Sequence, residues 1–213
     1  MMVLERLARS ADVRAVSGGA LLVAGVVTLM AIITSEALYQ DPRAGAYTTH
    51  QNEISDLGGA PDPGGLVLQP SATIFNLAMV GSGGLLIGAA YGLRRTAGMR
   101  PVVVALLLQG VGDVGVGVFP EDHLVLHRAA ALFALLFGGV AAMCSARVSA
   151  GPLKYISALM GTAALASLAV LIFAKSSTIY VELGAGGIER WAVYPVTLWQ
   201  AAFGGYLLGS RPD

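Results

Sequence analysis

The chain has 213 residues, 55% of them hydrophobic and only 12% charged, with a mean hydropathy of +0.71. Soluble domains carry about 25% charged residues, so a water-soluble fold is excluded and the composition is that of a multi-span membrane protein. Thirteen basic and thirteen acidic residues balance, which removes electrostatic support for a nucleic-acid partner, and the single Cys144 excludes an internal disulfide framework or a cysteine-only metal cluster.

Arg6, Arg9 and Arg14 precede the first apolar run, as in a signal peptide. That run is longer than a signal h-region, and Ser35-Glu36-Ala37 is a poor cleavage site. Residues 15–39 are therefore read as a retained span behind a short amphipathic interfacial segment. A long extracytoplasmic loop over 40–69 leads to the second span, 70–93, where Gly84-xxx-Gly88-xxx-Gly92 is the small-residue device that lets membrane helices approach. Pro101 suits the first turn of span three, 101–119. Gly110, Gly112 and Gly115 there match a dinucleotide-binding GxGxxG. Inside a span the N–H groups that would hold a pyrophosphate are already bonded, so these glycines read as packing. Spans four to six follow at 124–145, 155–174 and 191–209, separated by Pro120-Glu121-Asp122, Gly151-Pro152 and the stretch from Gly184 to Arg190. Period-2 alternation is absent, so a barrel is not expected. The prediction is one all-α domain over 1–213, a six-transmembrane-helix bundle.

Direction follows from Lys and Arg. With the N-terminus inside, nine of thirteen (Arg6, Arg9, Arg14, Arg94, Arg95, Arg100, Arg147, Lys154, Arg211) are cytoplasmic, against Arg43, Arg128, Lys175 and Arg190. The positive-inside rule places both termini in the cytoplasm of a cell-membrane protein. Ten of thirteen carboxylates, Asp41, Asp62 and Glu182 among them, and all three histidines then share the outer end, against Glu5, Asp12 and Asp213 inside. That bias predicts a polar extracytoplasmic pocket as the active face.

Asp113 is the sharpest candidate. It lies about two turns inside span three, where an ionised carboxylate is costly and marks function by default; the structural alternative is a staple to Arg128 or Arg190. In the loop, His50, Glu53 and Asp56 stand at i, i+3 and i+6, one side of a short helix. Asp113, Glu53 and Asp56 are the candidate catalytic acids. His123 and His127, at i and i+4, suit a shared metal, and with His50 make three ligands for a divalent ion such as zinc; the alternative is one interfacial and one buried histidine. Glu121 or Asp122 suits the N-terminus of span four as a cap. Asn76, Arg128, Arg190, Trp191 and Tyr194 are candidate substrate contacts: Arg190 can clamp an anion bidentately, or pair with a glutamate to hold span six, while Trp191, Tyr194 and Trp199 also fit an interfacial belt.

The order Ile54-Ser55-Asp56-Leu57-Gly58, Phe75-Asn76, Gly117-Val118-Phe119-Pro120 with His123 and His127, and Gly187-Ile188-Glu189-Arg190-Trp191-Ala192-Val193-Tyr194-Pro195 with Trp199 resembles the domain-of-unknown-function 998 family of six-helix bacterial and archaeal membrane proteins. The resemblance covers nearly the whole chain and implies the fold, without a reaction. Three functions stay open. A membrane enzyme would act on a lipid or isoprenoid from the outer leaflet, by metal-assisted hydrolysis or transfer or by acid-initiated chemistry. A transporter or lipid-binding protein would hold a ligand unchanged, although no inverted repeat is visible. A structural accessory protein would use the polar cluster only to staple helices.

Overall fold

The computed structural model describes residues 2–41, 45–59 and 67–209. Pro42, Arg43, the stretch 61–65 with Asp62, and Arg211 and Asp213 lie outside the described residues. Six helices carry the fold: α1 (Met2–Leu38), α2 (Ser71–Leu93), α3 (Arg100–Val118), α4 (Leu124–Ser145), α5 (Pro152–Phe173) and α6 (Thr178–Gly209). Five of them, α1 from Asp12 onward and α2 to α5, are long and apolar enough to cross a membrane. A helix satisfies its own backbone polar groups, which hydrocarbon demands. α6 is long enough but carries Glu182, Glu189, Arg190 and Gln200 and is not among the five.

Two sequence expectations shift. α1 runs unbroken from Met2, so the residues ahead of the first span continue the same helix. α6 begins at Thr178, with its one non-helical residue at Gly184 (φ 71°), so Glu189 and Arg190 lie within a helix and not in a break before one.

Each helix packs on its neighbours in the chain, and α6 returns to α1, closing a ring. α6 also touches α4, and α5 lies against both, burying Ser157, Gly161, Ala164 and Leu168. Lipid supplies no hydrophobic drive between helices, so close backbone approach does much of the packing. A Cβ on Gly83 would stand 2.6 Å from the Gly110 carbonyl oxygen, and one on Gly110 2.7 Å from that of Gly83. Gly112 meets the backbone of Ala130 and Ala134, and Gly18 meets Gly204 where α1 and α6 join. α3 is thus the narrow, tightly packed helix its glycines suggest. In α2, by contrast, Gly84 and Gly88 face open space, and the tight positions are Gly83 and Gly92. One residue turns the helix by about 100°, so Gly84 and Gly88 lie off the packed face, and of the three motif glycines Gly92 alone meets a neighbour.

Two apolar clusters form. One gathers Leu21, Leu86, Leu93, Val102, Leu106, Trp199, Phe203 and Leu207. Trp199 is fully buried there, donating its indole N–H to Ser145 Oγ (2.9 Å), and is not part of an interfacial belt. The other gathers Ile32, Tyr39, Ile54, Leu57, Phe75, Met79 and Val116 at the end of the bundle where the 45–59 loop lies. A short antiparallel pairing of Gln40–Asp41 with Gly45–Ala46 leads from α1 into that loop.

Candidate functional site

The loop is fixed to α6 by backbone groups. Glycine stands at 184 because φ is positive and because a Cβ would meet the His50 carbonyl oxygen at 2.0 Å; at Gly186 a Cβ would meet the Asn52 carbonyl at the same distance. The Gly186 N–H donates to the His50 carbonyl (3.2 Å). One turn further on, the five N–H groups of Arg190 are all taken. Nη2 donates to Glu36 Oε1 (2.6 Å) and the Tyr47 hydroxyl (2.7 Å), and Nε to Glu36 Oε1 (3.2 Å). Nη1 faces the carbonyls of Thr49 (3.1 Å), Asn52 (3.0 Å) and Gly186 (2.7 Å). The Tyr47 hydroxyl donates to the Glu53 carbonyl oxygen (2.9 Å), and the Ile54 N–H donates to Glu189 Oε2.

Carboxylates collect beneath this clamp. Asp56 Oδ2 accepts from Asn52 Nδ2 and the Glu53 N–H, both at 3.1 Å. Burial raises the Asp56 carboxyl above its usual range, opposed by those two hydrogen bonds. Burial also raises Glu53, with the Asp56 charge adding to it. Burial pushes Glu121 up to about 7; the Ser55 hydroxyl opposes the shift, and Asp56 and Glu53 reinforce it. Glu121 thus turns inward to Ser55 and is not the expected cap; α4 starts without a side-chain cap.

Below lies a cavity of about 70 Å³ between the two apolar clusters. Its polar lining comes from Thr28 of α1, Ser55 of the loop, Gln109 and Asp113 of α3, His127 of α4, and Glu189, Thr197 and Gln200 of α6. Asp113 is 7% exposed and Gln109 4%. Among the described residues Asp113 makes no hydrogen bond or ion pair, and Gln109 Oε1 is buried without a partner. Buried polar groups almost always have partners, so the unpartnered Gln109 Oε1 beside the Asp113 carboxyl marks this cavity wall. They sit four residues apart on α3, one turn, hence on one face.

The structure brings Asp113 and His127 to this cavity and disperses much of the rest. Residues 48–53 form turns and only Ser55–Gly58 is helical (3₁₀), so the expected i, i+3, i+6 face does not form. His50 is exposed and, with Trp191 and Tyr194, lines a surface groove on the outer side of α6. His123 precedes α4 in a 3₁₀ turn, exposed and edge-on to Phe119, while His127 is buried with Nδ1 donating to the Phe119 carbonyl (2.7 Å). The expected metal triad of His50, His123 and His127 is therefore not assembled, and among the described residues no group of three or more His, Cys, Asp or Glu is placed to hold a metal. Glu53 and Asp56 do not line the cavity. Asn76 Nδ2 donates to the Gly58 carbonyl (3.1 Å) and so anchors the loop. Arg128 is exposed, and Arg190 pairs with Glu36 of α1; neither bonds Asp113. Glu36, Tyr47, Ser55, Gln109 and Gln200 were not legible as site residues, except that Gln109 repeats one turn before Asp113.

These features define a helical membrane protein whose bundle encloses a small, mainly apolar cavity with a few polar side chains on its wall. The family described as "Protein of unknown function (DUF998)" matches residues 22–206, and the chain belongs to it. No curated protein and no solved structure matches the chain.

Two outcomes follow from the geometry. Glu36→Gln strands a largely buried guanidinium, so it should cost about 3 kcal/mol or more, read as a clear fall in melting temperature in detergent; Glu182→Gln, at an exposed position, should leave it unchanged. Folded Glu121 keeps a proton that the unfolded chain releases above about 4.5. Its stabilising contribution is complete below that pH and is lost as pH rises through about 7. Stability should therefore fall between pH 5 and pH 8 by roughly 1–2 kcal/mol after solvent screening, and Glu121→Gln should flatten that fall in a melting-temperature series.

Proposed function

We propose that this protein is a six-span enzyme of the cell membrane that acts on a lipid from the outer leaflet. Asp113 moves a proton at a small polar headgroup held in the cavity. α6 serves as the sixth span, since Trp191 to Gly209 is an uncharged stretch of 19 residues. The nine-to-four basic bias supports cytoplasmic termini and an outward-facing loop. The observation that carries the enzymatic reading is Asp113, buried on the cavity wall without a partner beside the orphan Gln109 Oε1. A general acid or base must be reachable by the proton it moves, and a carboxylate tied to an arginine would not be. A cavity of about 70 Å³ takes roughly five water-sized groups. That size favours headgroup chemistry over closure of an isoprenoid skeleton, with the tail left in the bilayer.

Two experiments test the reading. The purified chain in nanodiscs, incubated with a lipid extract of its native membrane, should yield a headgroup-altered lipid by mass spectrometry. Asp113→Asn should abolish that product while holding or raising the melting temperature, the usual trade where a site stores unfavourable charge. A large fall in melting temperature, or binding that needs Asp113 but gives no product, overturns the enzymatic reading. For orientation, a cysteine at His50→Cys in a Cys144→Ser chain should react with a membrane-impermeant maleimide on intact cells. Labelling only after permeabilisation reverses the topology.

A further inference from the structure

The chemistry of the cavity wall narrows what can enter it. Among the described residues its lining contains no lysine or arginine. It contains two carboxylates, Asp113 and Glu189, and the orphan carbonyl of Gln109. Glu53 and Glu121 lie close enough to Glu189 to interact with it electrostatically, and each adds negative charge behind the wall when it ionises. The nearby cations offset this only in part, since Arg190 acts on Glu189, and Arg128 on Glu53 and Glu121, from outside the cavity lining. Arg190 has every N–H engaged, Arg128 is exposed on α4, and Lys175 reaches only Glu53. His127 Nδ1 donates to the Phe119 carbonyl, which directs that N–H away from a ligand.

A ligand here meets acceptors and negative charge at close range in a water-poor site, where unpaired charge is most costly. A phosphate brings more acceptors and more negative charge, and is repelled. A hydroxyl brings a single donor. An ammonium brings three N–H donors and a positive charge, enough for Asp113, Glu189 and Gln109 Oε1 together.

We infer that the cavity binds a primary amine, the ammonium group of a small headgroup that carries no phosphate within the chamber. This rests on the headgroup reading above and names its substrate class. Gln109 and Asp113 of α3 and Glu189 of α6 line one cavity, and its size admits an aminoethyl-sized group.

The test uses the full chain in phosphatidylcholine nanodiscs and three probes that share one tail: dodecylamine, dodecanol and dodecyl phosphate. Saturable binding is expected for the amine, at least about tenfold tighter than for the alcohol, with none for the phosphate. Asp113→Asn should weaken the amine by about tenfold or more, and Glu182→Gln should not change it. Gln109→Leu, which removes the orphan carbonyl, should weaken it as well. If the alcohol or the phosphate binds as tightly as the amine, yet still through Asp113, the amine inference is overturned and the cavity remains the site. If no probe depends on Asp113, both the inference and the enzymatic reading fall. Competition by free ethylamine then decides the source. Displacement of dodecylamine at equal concentration points to a soluble amine, and its failure to a membrane-borne one; either result upholds the amine.

Discussion

A guanidinium buried near the end of a membrane bundle must have all five N–H groups accepted, and the rest of this site is arranged to do so. Arg190 takes its acceptors from α1 (Glu36), from its own preceding turn (Gly186) and from the loop (Tyr47, Thr49, Asn52). Carbonyls of residues 49 and 52 can reach it only if the loop lies flat on α6, and the loop can lie there only because 184 and 186 are glycines. The same residue that closes the helix ring at α1 and α6 therefore also fixes the loop over the bundle. Desolvation makes such a cluster an all-or-nothing device: complete, it specifies one arrangement; with one partner removed, it leaves charge stranded.

With the loop set by Arg190, the interior beneath it follows. Gly83, Gly110 and Gly112 draw α2, α3 and α4 to backbone contact. The apolar clusters close above and below, and the space left between them is lined by what α3 and α6 turn inward, Gln109 and Asp113 facing Glu189, Thr197 and Gln200. The chamber is the residue of tight packing on one side and a pinned loop on the other.

The helices were legible because composition and span length are local properties; α2 to α5 begin and end within a few residues of the expected bounds. Asp113 was legible because a carboxylate inside an apolar run is costly wherever it points. The loop was not. His50, Glu53 and Asp56 have helical spacing, but the carbonyls that a helix would use at i→i+4 are claimed by Arg190 and Gly186, from residues more than 130 positions away. The same distance hid Glu36, whose partner lies 154 residues on, and turned Arg190 from an expected anion clamp into a saturated one. Gln109 could have been read from the polar repeat with Asp113, had the face of α3 been considered along with its glycines.

Two buried polar systems thus lie within one end of this bundle, and they are treated oppositely. At Arg190 every donor is matched, and the charge of Glu36 is spent on holding helices together. At Asp113, nearby, neither Arg190 nor Arg128 is recruited, and Gln109 is left with an orphan oxygen. A sequence selected only for a stable bundle would remove the second system, since apolar residues at 109 and 113 would pack as well and carry no desolvation cost. Local rules are broken without evident structural gain chiefly where a site must stay available. The saturated cluster holds the loop; the unsaturated one is what the loop covers. Under the proposed reading, their separation would let a ligand engage Asp113 and Gln109 without loosening the contacts that keep the ring closed.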